Sequence, residues 1–233
     1  MQKVLDLLFW TVARCLLALR YRVSVRGAEK LQSLTGPTLV IPNHPAYVDP
    51  MIVFAHVRLK QPLRPIVYAD TYRFPLFYPV MRVIRAFEVP NLSRASRQSR
   101  QKAMDMLDAT AAALNRGESF LLYPSGRLVR TGIEVVGSAR AAAELLGRCP
   151  NANVVLVRIT GLWGSMFGCA RSGNPPPLTS TLLAAVGWLV ASFIFFMPRR
   201  RVRLEIEVLD RSQLPSPQQV KQKPPKSETA IEQ

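Results

Sequence analysis

The sequence predicts an α/β fold, a mostly parallel sheet flanked by helices. Three observations predict it. Between about residues 40 and 160, short apolar segments such as "TLVI", "FLL" and "NVVLV" alternate with stretches of helical composition. Gly and Pro punctuate the junctions between them. The chain has 233 residues, of which 48% are hydrophobic, enough for one sizeable core.

The elements follow in order. Apolar residues from Val4 to Leu19, Trp10 among them, are spread around a helix rather than confined to a narrow stripe. "RYRVSVRG" alternates basic and apolar residues and reads as a strand with one wet face. "TLVI" is a buried strand ending at Pro42. Pro50 suits the first turn of the next helix, with Asp49 as its N-cap. "LRPIVYAD" is a further strand, and residues 74–89 form a short helix that turns into a strand. The stretch from Ser93 to Gly117 has serines near its start, many alanines and leucines, and a terminal glycine, so it is a helix. "SFLLYPSG" is strand then turn, "GSARAAAELLGR" is helix, and "ANVVLVRITG" is a strongly apolar strand. "RVRLEIEVL" alternates and closes the series as a strand.

Residues 178–197 contain no charge, and at helical rise they would cross a hydrocarbon core about 30 Å thick. "PRRRVR" follows at once, the kind of basic flank that stays on the cytoplasmic side. A chain that must return to the sheet in "RVRLEIEVL" could hardly do so from across a bilayer. The segment is therefore expected to rest on the bilayer as a helix or hairpin. The first helix is expected there too, with Trp10 and the arginines that follow at headgroup level. No small-residue cleavage site follows it, so it does not read as a secretory signal. The domain organisation is then a membrane-interface helix at 1–20, one domain at 21–210 that includes the apolar segment 178–197, and a disordered tail at 211–233. The α/β fold thus carries N-terminal and C-terminal membrane-associated apolar helices.

The net charge is +16 and the pI about 10.7. This calls for a negatively charged partner: nucleic acid, an anionic membrane or an acidic protein. A basic membrane- or nucleic-acid-binding protein without catalysis is one reading. Nucleic acid is the weaker partner, because no helix-turn-helix, zinc or RNA-recognition signature occurs and the apolar run would have no role. Cys15, Cys149 and Cys169 are scattered and read as free thiols. With two histidines and no H-E-x-x-H, no metal site is expected.

The chemistry concentrates in "NHPAYVDP", residues 43–50, just past a strand end. If the loop turns, Asp49 can reach His44. A carboxylate on one ring nitrogen fixes the tautomer and leaves the other nitrogen to remove a proton from an alcohol. No Ser or Cys with a paired base is evident, so direct attack by a substrate hydroxyl is simpler than a covalent intermediate. Eighty residues further, "LLYPSGRLVRTG" is again a strand running into a Gly turn. Its backbone N–H groups beside Arg127 and Arg130 suit a phosphate. In open sheets ligands gather at the carboxyl ends of strands, where both segments fall.

Together these blocks resemble the glycerolipid acyltransferase family, of the lysophosphatidic acid or lysophospholipid acyltransferase type. That family pairs N-H-x-x-x-x-D with a later block usually reading F-P-E-G-[TS]-R. Here the blocks are "NHPAYVD" and "YPSGR", and "VVLVRITG" follows where the family has an apolar V-P-V block. "AFEVPN" and "YPSGRLVRTG" look most like the 2-acylglycerophosphoethanolamine acyltransferase domain of the bacterial bifunctional acyl-carrier-protein synthetase. The resemblance implies that His44 deprotonates a lysophospholipid hydroxyl, which attacks the thioester of acyl-CoA or acyl-carrier protein. Asp49 would orient His44. Asn43, Tyr123, Pro124, Ser125, Gly126, Arg127 and Arg130 would bind substrate, Arg127 at the acceptor phosphate. No cofactor is implied beyond the acyl donor. Membrane lipids would be the partner, at the cytoplasmic face of the inner membrane. Two departures weaken the assignment of an acceptor headgroup. Ser125 stands where the family usually has Glu, and Asn91 stands near the position of a phosphate-binding Arg, which Arg82, Arg85 or Arg94 would replace.

Overall fold

A computed structural model describes residues 2–90, 97–134, 141–192 and 198–210. The expected tail and the expectations for Asn91 and Arg94 lie outside them. The elements in chain order are α1 (Gln2–Arg20), β1 (Tyr21–Arg26), β2 (Thr38–Pro42), α2 (Asp49–His56), β3 (Leu63–Tyr68), α3 (Ala69–Tyr72), α4 (Tyr78–Val83) and β4 (Phe87–Val89). There follow α5 (Arg97–Asn115), β5 (Ser119–Leu121), α6 (Ala141–Arg148), β6 (Asn153–Thr160), α7 (Leu178–Ala191) and β7 (Arg200–Leu209).

The seven strands form one sheet in the order β1-β7-β6-β2-β5-β3-β4. From β6 to β4 every neighbouring pair is parallel. Parallel neighbours need a crossover long enough to carry the chain back, and α2, α5 and α6 lie in those crossovers. β7 instead runs antiparallel to β6, with Thr160 opposite Arg203 and Val154 opposite Leu209. α7 therefore leaves and re-enters the sheet at the carboxyl end of β6. β1 is parallel to β7, Tyr21 against Arg200, so α1 also meets the sheet at that end.

Side chains alternate across a strand, and here both faces are covered. Leu39 and Phe120, paired in register, face Leu107, Leu114 and Leu145 of α5 and α6. Their neighbours Val40 and Leu121 face the other way, with Ile52 and Val53 of α2. All four strand residues are fully buried, and burial of side chains this size stabilises by about 1.5–3 kcal/mol each. This explains why the strands read as continuous apolar runs rather than as alternating ones.

The two terminal helices differ in how they are covered. α1 lays Trp10 flat on Phe54 of α2, ring centroids 5.5 Å apart. Its Leu16 is 63% exposed. α7 buries only Thr181 and presents Leu183, 75% exposed, with Val186, Trp188 and Val190 also exposed. Among the described residues no helix is long and apolar enough to cross a membrane. The apolar segment expected over 178–197 is helical to Ala191, and residues 193–197 lie outside the described ones.

Gly161, which follows β6, has φ +87°, and a Cβ there would sit 2.1 Å from the Arg201 carbonyl oxygen. Gly36 has φ +85° and open space around it. Gly161→Ala should therefore cost about 3 kcal/mol or more, combining backbone strain with a steric clash, and Gly36→Ala only about 1 kcal/mol. Urea midpoints of the two variants measure the difference.

Candidate active site

β2 and β5 are neighbours and run the same way, so the loops leaving their carboxyl ends emerge side by side. One carries His44 and the other Tyr123–Arg127. Asn43 fixes the first. Its Nδ2 donates to the Ile159 carbonyl at 3.0 Å, and its Oδ1 accepts from the Ile159 N–H at 2.7 Å. Those bonds extend the contact between β2 and β6 beyond the last paired residues, Pro42 and Val157. Both polar ends of the Asn43 amide are thus engaged by backbone.

Asp49 opens α2, and Val48, not Asp49, takes the N-cap position, with no side-chain cap. The carboxylate turns back into the preceding loop instead. Its Oδ2 accepts from His44 Nδ1 at 2.9 Å and from the Ala46 N–H at 3.1 Å. Its Oδ1 accepts from the Tyr123 hydroxyl at 2.5 Å. The expected cap fails because these three donors lie closer to hand than the helix's own N–H groups. Asp49 is fully buried, while His44 keeps 16% of its side chain exposed. A carboxylate only accepts, so the proton is on Nδ1. Nε2 has no hydrogen bond among the described residues. Tyr123 also stacks on His44, centroids 4.1 Å apart and planes 26° apart. Burial, and then the Asp49 carboxylate, push the Tyr123 phenol well above its ordinary value, so it remains a donor.

The second block turns at Gly126, with φ +63°, directly under the Tyr68 hydroxyl at the end of β3. Pro124 and Ser125 are half-buried. In "RLVR", Leu128 and Val129 are buried, while Arg127 and Arg130 are exposed. The Val129 N–H donates to the His44 carbonyl at 2.9 Å, tying the arginine-bearing segment to the His44 loop. The structure thus joins His44, Asp49 and Tyr123 directly and brings the backbone of the second block to the His44 loop, with Arg127 and Arg130 on its exposed side. Arg82 and Arg85, at the end of α4, make no contact with it that the structure records.

Three further neighbours join the site; the glycine- and aromatic-rich segment 161–168 reads in the sequence as either a channel lining or a plain turn, whereas Glu134 and Tyr68 carry no signal there. Glu134 is buried and places Oε1 2.8 Å from Ser125 Oγ. Burial pushes its carboxyl group up, although the Ser125 hydrogen bond and His44 oppose the shift. Tyr68 covers the Gly126 turn. The segment "GLWGSMFG" turns back over the His44 loop, its Phe167 carbonyl accepting from the Tyr47 N–H at 3.0 Å. The other histidine, His56, donates from Nδ1 to the Ile52 carbonyl within α2 and has no part in the site. Cys15, Cys149 and Cys169 form no disulfide, and among the described residues no three His, Cys, Asp or Glu side chains converge as metal ligands.

Removing the Tyr123 hydroxyl deprives a buried carboxylate of one donor. Tyr123→Phe should destabilise the fold by about 1–3 kcal/mol while leaving the ring stack and the circular dichroism spectrum unchanged. Denaturant titration checks this.

Comparison with known proteins agrees with this geometry. No curated protein matches the chain in sequence. Among solved structures, the chain is similar to the crystal structure of the 1-acyl-sn-glycerophosphate acyltransferase PlsC from Thermotoga maritima. The TM-score is 0.63 at 17% identity, covering 94% of this chain and 74% of that one, which shows a shared fold. The family model described as Acyltransferase matches residues 22–159, more than half of the chain and both blocks of the site. The chain belongs to the acyltransferase family and is an acyltransferase, with the His44–Asp49 pair inside the matched region.

Proposed function

We propose that the enzyme moves a fatty acyl group from a thioester, acyl-CoA or acyl-carrier protein, to the free hydroxyl of a lysophospholipid, in phospholipid biosynthesis or remodelling. The observation that carries this reading is His44, held by Asp49 on one nitrogen and, among the described residues, unpaired on the other, beside an arginine-bearing turn. The acceptor hydroxyl gives its proton to Nε2 as its oxygen bonds to the thioester carbonyl carbon. The C–S bond then breaks, and the leaving thiolate takes the proton back from the imidazolium. Asp49 holds the ring in place and balances its transient charge. No cofactor enters the scheme.

Arg127, with Arg130 near it, suits the acceptor phosphate, since guanidinium groups bind phosphate through paired N–H donors. Gly126 and Tyr123 shape the turn that presents them, and Asn43 acts by fixing the loop. The lipid-surface part of the proposal is supported by topology: α1 and α7, both with exposed apolar faces, join the sheet at the end where His44 sits. The excess of basic residues favours an anionic membrane, and we place the enzyme at the cytoplasmic face of the inner membrane.

Purified enzyme with labelled acyl-CoA or acyl-carrier protein and a panel of lysophospholipids should yield diacyl lipid. His44→Ala should lower turnover by about 10²–10⁴-fold. Arg127→Ala should raise KM for the acceptor far more than it lowers kcat. Undiminished turnover in the His44 variant would remove His44 as the base, and sedimentation with DNA but not with liposomes would remove the lipid reading.

A further inference from the structure

Glu134 belongs to neither sequence block and has no step in the scheme above. It is nevertheless 8% exposed and sits against the turn that carries Tyr123 and Arg127. Its Oε1 lies 2.8 Å from Ser125 Oγ, and the same hydroxyl lies 2.8 Å from the Arg127 carbonyl oxygen. A serine hydroxyl holds one proton and can donate to only one of them. For each contact to be a full two-centre hydrogen bond, Glu134 must itself be a donor. The acid O–H then points to Ser125 Oγ, and the Ser125 O–H points on to the Arg127 carbonyl. Among the described residues no Arg or Lys pairs with Glu134 to favour the carboxylate.

We propose that Glu134 is a positioning residue that acts in its uncharged form, through Ser125, to fix the turn holding Tyr123 against His44 and Arg127 at the rim. The groups that face it are His44 from the loop after β2, Asp49 from α2 and Tyr123 from the turn. Burial, and then the Asp49 charge, favour the uncharged acid; the Ser125 hydroxyl, His44 and the Ser125 backbone N–H oppose it, with burial the largest influence. The catalytic consequence rests on the acyl-transfer reading, whereas the hydrogen-bond relay does not.

The test compares wild type with Glu134→Gln, Glu134→Ala, Ser125→Ala and the double alanine variant. Gln keeps an uncharged donor of the same length. A carboxyl group whose folded pKa is raised contributes stability that is whole below the unfolded value and lost as pH rises through the folded value. Wild type should therefore lose stability relative to Glu134→Gln as pH rises through that window, leaving the Gln variant the more stable at neutral pH. In acyl transfer, Glu134→Ala should lose about 10- to 100-fold in kcat/KM, as expected for a displaced site. Glu134→Gln should restore most of that loss, and the double alanine variant should be no worse than either single one. A Gln variant less stable than wild type at neutral pH would overturn the proposal. So would a Gln variant as impaired as the Ala variant, or an Ala variant with unchanged kcat/KM. If wild type transfers no acyl group, the acyl-transfer reading fails, and the pH dependence of stability still decides the fate of the relay.

Discussion

The Asp49 carboxylate has no contact with solvent, yet it accepts hydrogen bonds from an imidazole, a backbone N–H and a phenol. An unpaired carboxylate at such a position would cost several kcal/mol. Its donors come from two places: the loop after β2 supplies His44 and Ala46, and the end of β5 supplies Tyr123. The chain therefore cannot bury Asp49 at low cost until β2 and β5 are in register and both loops have turned inward. Satisfying one buried charge and assembling the reactive constellation are the same event. The Asn43 clamp on Ile159 and the Val129 bond to the His44 carbonyl add a third and a fourth anchor, so the imidazole is held from its backbone as well as from its ring.

Much of this was legible in the sequence because it is local. Strand and helix positions follow from apolar runs and from Gly and Pro, and two loops past strand ends converge whenever their strands are parallel neighbours. The spacing of His44 and Asp49 allows their pairing once the loop between them turns, and the structure shows that it does. What escaped depends on contacts that spacing does not encode. Glu134 is separated from Ser125 by a loop with no periodicity, so nothing in the string says that its side chain returns. Asp49 has the composition of an N-cap, but competing donors in the preceding loop captured it. That both ends of the Asn43 amide would bond the Ile159 backbone is likewise not written in the spacing.

The sheet edge was also hidden. Alternation in "RVRLEIEVL" gives a strand but no direction, and direction decides where α7 stands. Because β7 is antiparallel to β6, α7 is an excursion from the His44 end of the sheet rather than a crossover to the opposite end. A parallel β7 would have required the chain to travel the length of the sheet and would have used α7 as one more covering helix. The exposure of Leu183 and Trp188 follows from that difference.

The pairing of β1 with β7 has a consequence for the order in which the molecule can be made. β1 is synthesised before the other strands of this sheet, and among the described residues it pairs with β7. Tyr21–Arg26 must wait on the ribosome until Arg200–Leu209 has emerged. Closing that long a loop is entropically unfavourable and slow compared with the neighbouring β2–β5–β3 pairings. The parallel centre can therefore condense while the amino-terminal strand is still unpaired, and the outer edge is zipped shut last, joining the two ends of the domain.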